Sequence, residues 1–85
     1  LRTKGDCEQH IDYDLEGVFS LVVCIRTNAP YQMEFSRNRF QEGRVFRTIE
    51  MKQYSYVVFP SVLFHRCTTD DTNCRTVLNV LVKAP

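Results

Sequence analysis

The sequence has few glycines, no long apolar run and almost no net charge. Its three glycines are scattered, which excludes a glycine-rich phosphate-binding loop. A bilayer-spanning helix needs about 18 or more apolar residues in succession, and we expect none here. A net charge of +1 gives no reason to expect a general polyanion-binding protein. Asn-x-Ser/Thr is also missing, so we expect no N-linked glycan.

Length and cysteine content predict one small, covalently stapled domain. An 85-residue chain buries only about 60% of the surface that its unfolded form exposes, so staples are expected. An even number of cysteines in a short chain is typical of disulfides formed in an oxidising compartment. We therefore predict a secreted, extracellular protein with a single domain over residues 1–85 and two disulfides. The cysteines are Cys7, Cys24, Cys67 and Cys74.

Hairpin geometry slightly favours one connectivity of the cysteines. If neighbouring predicted strands pair, Cys7 lies opposite Cys24 and Cys67 lies opposite Cys74, at separations close to those of a disulfide. The main rival joins Cys24 to Cys67 and Cys7 to Cys74 across the domain. A zinc site usually has ligand pairs two to four residues apart, which these cysteines lack. We expect no metal and no cofactor.

Hydrophobic residues alternate with a period of two, which predicts strands. Glycine, proline, asparagine and aspartate separate the apolar segments. We predict an all-β fold, a small antiparallel sandwich or barrel of six to seven short strands. The predicted strands cover residues 7–15, 18–26, 31–36, 44–50, 53–59, 62–67 and 74–83. Residues 18–26 are apolar on both faces, which favours a central strand covered on both sides.

The two histidines give no catalytic arrangement in the sequence. The alternation puts His10 on a solvated face between Glu8 and Asp12, where acidic neighbours favour its charged form. His65 adjoins Arg66 and is predicted at the surface or rim. No nucleophile, base and orienting group can be assembled, so we predict that the protein is not an enzyme. A concave site that holds either histidine beside an acid would favour an enzyme instead.

Residues 35–47 combine arginines with phenylalanines, the composition of interface hot spots. The same composition fits a solvated loop above core phenylalanines, and it also suits stacking on nucleic-acid bases. Because the domain as a whole is not basic, nucleic acid is the least favoured partner. We predict a protein-binding site here. Its residues are Phe35, Arg37, Arg39, Phe40, Arg44 and Arg47.

Residues 53–64 form a strongly apolar, β-prone and uncharged segment. Such a segment must be buried in a sheet or pair with another strand. We predict burial. The alternative is a homodimer that forms through an edge strand near Tyr54–Phe59, with Pro60 marking the edge.

In size, expected strand number and few cysteines, the chain resembles the MAX effectors of plant-pathogenic fungi. Those are secreted six-stranded β-sandwiches that bind host proteins, and no residue motif is involved in the resemblance. The single disulfide of that family joins an early strand to a late one. The resemblance implies that Cys24 and Cys67 would form this disulfide, and Cys7 and Cys74 are then additional cysteines. The resemblance implies a virulence effector that binds a host protein.

We therefore predict a secreted, non-enzymatic protein–protein interaction module of the effector, ligand or receptor-ectodomain type. The partner is another protein. A small carbohydrate- or nucleic-acid-binding β domain is the alternative.

Overall fold

The computed structural model describes residues 2–37 and 45–83. These residues form eight strands in two four-stranded antiparallel sheets. The strands are β1 (Arg2–Lys4), β2 (Cys7–His10), β3 (Val18–Thr27), β4 (Tyr31–Ser36), β5 (Val45–Met51), β6 (Tyr56–Pro60), β7 (Phe64–Thr68) and β8 (Cys74–Lys83). Sheet A has the order β1-β8-β3-β6, and sheet B has the order β2-β7-β4-β5. The predicted small antiparallel β-sandwich is confirmed, with more strands than expected.

The first predicted strand is shorter than the sequence alternation indicates. It ends at His10, because the backbone N–H groups of Asp12 and Tyr13 both donate to the Ser61 carbonyl, at 3.0 and 3.3 Å. The Ser61 hydroxyl in turn donates to the Tyr13 carbonyl at 2.8 Å. These bonds turn the chain away from the sheet edge and direct Asp12 into the interior.

Strands that are neighbours in sequence are mostly not neighbours in the sheets. β3 lies between β8 and β6, and β2 pairs with β7. The two predicted hairpins, of residues 7–15 with 18–26 and of residues 62–67 with 74–83, were therefore wrong. Both predicted hairpins assume that strands adjacent in sequence pair with each other. In the structure, β2 and β3 pair with strands that lie far away in the chain.

This topology also overturns the pairing expected for the cysteines. Cys7 is the register partner of Cys67 rather than of Cys24. Cys24 lies opposite Val77, and Cys74 lies opposite Lys4 of β1. All four cysteines are free thiols in the structure.

The core lies between the two sheets and consists of alternate residues of β3 and β4 with one residue each of β5 and β6. Phe35 and Phe59 meet edge to face, with ring centroids 5.0 Å apart. The buried cluster comprises Val22, Cys24, Tyr31, Met33, Phe35, Met51 and Phe59. Within residues 2–37 and 45–83, no helix is long and apolar enough to cross a membrane.

Candidate functional site

The outer face of sheet A is apolar and faces solvent. β3 carries one apolar side chain at every second position, and the register places an apolar residue of β8 and one of β6 on either side. We call these residues the apolar face. They are Phe19, Leu21, Val23, Tyr56, Val58, Pro60, Leu78, Val80 and Val82.

Most of the apolar face is open to solvent, most of all along β6. Tyr56 is 70% exposed and Val58 is 56% exposed. The expectation that β3 is covered on both sides was therefore wrong, since only its inner side is covered. At ordinary strand and residue spacings the face measures roughly 10 Å by 14 Å between its outermost Cα atoms.

The outer face of sheet B is polar, as is usual for a sheet with one solvated side. Glu34 lies beside Arg66 there and accepts a hydrogen bond from its Nε at 2.8 Å. The register gives two rows of polar residues across β7, β4 and β5. The residues are Thr68, Gln32, Glu50, Arg66, Glu34 and Thr48. Both sheets have four antiparallel strands, but their outer sides differ: that of sheet A is apolar and that of sheet B is polar. The apolar face is therefore a specific feature of sheet A.

The predicted partner-binding residues are found in different environments. Phe35 is 2% exposed and packs in the core against Phe59, so it lies beneath the surface, and its predicted role in partner binding stays a prediction. Arg37 is exposed, with its guanidinium 5.5 Å from the ring centre of Phe46, and Arg47 is exposed on β5. Arg39, Phe40 and Arg44 lie outside the described residues.

A groove of about 220 Å³ runs between β5 of sheet B and β6 of sheet A. Phe46 and Arg47 line one side, and Val57 and Val58 line the other. Val58 belongs also to the apolar face. The exposed part of the predicted binding segment is therefore continuous with that face.

A second cluster of functional side chains lies at the end of the sandwich near β2 and β7. The register pairs His10 with His65, and the loop after β2 brings Asp12 between them. The Nε2 atoms of both histidines are 3.3 Å from the same oxygen, Oδ1 of Asp12. The two imidazole centroids are 4.1 Å apart.

Three outer contacts hold this cluster in place. The other carboxylate oxygen of Asp12, Oδ2, accepts a hydrogen bond from the Ser20 hydroxyl and lies 3.5 Å from Asn79 Nδ2. His65 Nδ1 is 3.0 Å from the Leu63 carbonyl oxygen. A carbonyl only accepts, so Nδ1 of His65 is the protonated donor in that bond.

The electrostatics of the cluster favour a negative charge on Asp12 and a positive charge on His65. Burial alone would raise the pKa of Asp12, but hydrogen bonds from His65 and Ser20 outweigh it and lower that pKa to about 2. Burial alone would lower the pKa of His65, but its contacts with Asp12 and the Leu63 carbonyl outweigh it and raise that pKa.

The sequence did not predict this cluster, for two structural reasons. His65 was expected at the surface, but it is 3% exposed because β7 turns it inward against Phe35 and Phe59. The side chain of Asp12 was expected on a solvated face, but it is 8% exposed because its backbone is bound to Ser61. Only the acidic neighbourhood of His10 signalled a contact.

Next to the histidines lies a pair of thiols, Cys7 and Cys67. The thiol of Cys67 donates to the sulfur of Cys7, whose pKa it lowers to about 6 against the effect of burial. The backbone N–H of Cys67 donates to the same sulfur at 2.9 Å. The bond to Cys7 and burial both raise the pKa of Cys67. The pair therefore holds one thiolate and one thiol near neutral pH.

Arg75 supplies a buried positive charge close to these thiols. Its Nη1 donates to the Gly5 carbonyl at 2.7 Å and to Asn73 Oδ1 at 2.8 Å. The guanidinium also lies 4.5 Å from the centre of the Tyr31 ring.

The histidines, the thiols and Arg75 line a cavity of about 140 Å³. Pockets that bind organic ligands usually measure about 300–1,000 Å³. The cavity is therefore small for an organic substrate, although it has the titratable groups of a reactive site. Comparison with known proteins finds no matching family, no matching curated protein and no matching solved structure.

Proposed function

We propose that this chain is a non-enzymatic protein-recognition module and that the apolar face is its contact surface. The observation that carries the proposal is the unbroken set of apolar side chains on the outer side of sheet A. A continuous apolar patch on the surface of a soluble protein is often an interaction site. The polar outer side of sheet B shows that the fold itself does not require such a surface.

The chemistry of the face favours another protein over other partners. The face contains no arginine or lysine, which a nucleic acid would need for its phosphates. It contains no carboxylate or amide for sugar hydroxyls either. Burial of flat apolar surface is the usual driving force in protein association. The partner surface that fits is flat, apolar and uncharged.

The groove between β5 and β6 extends this surface. Arg47 and Phe46 lie on its rim, and arginine and phenylalanine are both common in interface cores. We propose that they supply polar and aromatic contacts at the border of the apolar face. The edge strand β6 makes a second copy of the chain an alternative occupant, by the strand pairing expected near Tyr54–Phe59.

We propose that the protein is secreted, as an effector, ligand or ectodomain module, and that Cys7 and Cys67 form a disulfide there. They are direct register partners on adjacent antiparallel strands, and such partners have the Cα separation that a disulfide needs. Cys24 and Cys74 have no such relation: Cys24 is buried between the sheets, whereas Cys74 is exposed. The register thus supports one bridge rather than two.

An enzyme would use the interior cavity, which does hold two histidines beside an acid. Its volume of about 140 Å³ favours an ion or a few water molecules over an organic substrate. The recognition proposal is therefore preferred.

Charge insertion on the apolar face tests the proposal. The variant Val58→Lys/Leu78→Lys places two charges on the face, and Thr48→Lys/Thr68→Lys adds the same charge to the polar side of sheet B. We expect wild type and the control to bind the apolar dye ANS and the face variant to lose most of that binding. Equal dye binding by all three folded proteins would show that the face is not an available apolar surface.

Sedimentation velocity on the same proteins identifies one class of partner. A wild-type dimer that the face variant loses and the control keeps would make the partner a second copy. A dimer retained by the face variant would place self-association elsewhere and contradict the proposed contact surface.

A further inference from the structure

We infer that His10 Nε2, Asp12 Oδ1 and His65 Nε2 form a binding site for a divalent transition-metal ion, with Zn²⁺ as the best match. The three ligand atoms lie within 4.8 Å of one another and come from two strands and a loop. The inference is independent of the proposed recognition function, because the site lies between the sheets and the apolar face lies outside sheet A.

Two of the three distances between the ligand atoms fit tetrahedral coordination. Zinc–nitrogen and zinc–oxygen bonds of about 2.0–2.1 Å at tetrahedral angles place neighbouring ligand atoms about 3.3–3.4 Å apart. Both His–Asp contacts measure 3.3 Å. An ion can therefore be held with little change in the position of Asp12 relative to either ring.

The orientation of His65 also fits a metal ligand. Its Nδ1–H is donated to the Leu63 carbonyl, so loss of the Nε2 proton on metal binding would leave the lone pair of Nε2 directed toward Asp12. A lone pair facing a carboxylate oxygen is repulsive unless a cation or a proton lies between them. Metal-bound histidines usually donate their other ring nitrogen in this way, which fixes both the tautomer and the ring orientation.

Asp12 is oriented by its side-chain contacts with sheet A. Ser20 and Asn79 hold Oδ2, which leaves Oδ1 directed at both histidines. Ser20 is on β3 and Asn79 is on β8, both in sheet A, whereas His10 and His65 belong to sheet B. A bound ion would thus connect the two sheets through Asp12, which is a staple of the kind that small domains need.

The donor set selects the class of ion. Two imidazoles and one carboxylate suit Zn²⁺ and related ions, whereas Ca²⁺ and Mg²⁺ prefer oxygen ligands alone. Three protein ligands leave a fourth position for water. The half-exposed ring of His10 gives an ion access from solvent.

Calorimetric titration of the reduced full-length chain with ZnCl2 tests the inference. We expect one Zn²⁺ per chain and a higher Tm with the ion bound, because the ion binds the folded state. Asp12→Asn and His10→Ala should each weaken binding by about 100-fold or more, since loss of an outer-contact residue alone costs 10–100-fold. Asp14→Asn removes a nearby exposed carboxylate and should leave affinity unchanged.

Two further readouts separate this site from the neighbouring thiols. Cys7→Ser should keep its Zn²⁺ affinity, and Co²⁺ in place of Zn²⁺ should show no thiolate charge-transfer absorption. In nitrogen-15 spectra, Zn²⁺ should fix both histidines as Nδ1–H tautomers.

His10 is exposed, so His10→Ala will fold even if Asp12→Asn does not. Absent binding, unchanged affinity in folded His10→Ala, or affinity lost in Cys7→Ser would each overturn the inference.

Discussion

Arg75 is a charged residue held inside the sandwich by polar groups rather than by a carboxylate. It is 3% exposed, and among the described residues it has no ion pair. Asn73 orients it from one side, and Nδ2 of Asn73 in turn donates to the Ala29 carbonyl at 2.9 Å. From the sequence, Asn73 is expected only in a turn, because it closely follows two aspartates and no pattern indicates that its side chain is buried.

Replacement of Arg75 by methionine tests this polar network. The change leaves the Gly5 carbonyl and Asn73 Oδ1 without their donor, and it removes the contact with Tyr31. We expect unfolding in urea to show a loss of about 2 kcal/mol or more, although removal of a buried charge offsets part of it. Arg66→Met breaks a half-exposed pair with Glu34 and should cost at most about 1 kcal/mol. A variant at position 75 that is as stable as wild type would contradict this account.

Cys7 should be the most acidic thiol of the reduced protein. Because its pKa is lowered to about 6, the thiolate predominates at pH 7 and is lost as the pH falls through 6. The rate of Cys7 alkylation by iodoacetamide, followed by peptide mass spectrometry, should therefore reach half its plateau near pH 6. An unperturbed cysteine does so near pH 8.5. A midpoint near 8.5 for Cys7 would show that Cys67 does not donate to its sulfur.

Individual strands follow from the sequence, and their pairing does not. The predicted boundaries of β4 and β8 are confirmed, and β3 is one residue longer than expected. Alternation and β-branched residues define a strand locally. Pairing depends on contacts between distant segments, such as β3 with β8, for which one sequence gives no local signal. The short β1 has no apolar pattern at all and was missed for that reason.

Adjacent positions on β6 should respond very differently to truncation. Phe59 points into the core against Phe35 and His65, whereas its neighbour Val58 points to solvent. We expect Phe59→Ala to lower the free energy of unfolding by about 3–5 kcal/mol. Val58→Ala should lower it by less than about 1 kcal/mol, because most surface substitutions have small effects. Similar losses in the two variants, measured in urea, would contradict the assignment of the faces.

The whole molecule has two unlike outer surfaces, and the sequence contained part of this information. Residues 18–26 are apolar on both faces, which correctly indicated that no polar side exists on β3. The prediction assigned the second apolar side to the interior, because a sequence does not show how many layers a domain has. With two sheets and no third layer among the described residues, that side of β3 faces solvent.

Among the described residues, the predicted contact segment and the observed apolar face meet at the groove of Phe46, Arg47 and Val58. Arginines and phenylalanines stand out in a sequence because their composition is unusual. The apolar face is assembled from three separated strands, so its members are individually ordinary strand residues. The same reason hid the His–Asp–His cluster, in which His65 lies more than 50 residues along the chain from His10 and Asp12.

The most direct test of the apolar face as a protein-binding surface is site-specific photo-cross-linking. A benzophenone amino acid at position 58 samples the apolar face, and the same group at position 48 samples the polar side of sheet B. In extracts and culture medium of the source organism we predict one protein cross-linked from position 58, lost when Leu78→Lys is added and absent from position 48. Equal cross-linking from both positions, or a product that Leu78→Lys leaves unchanged, would contradict the account.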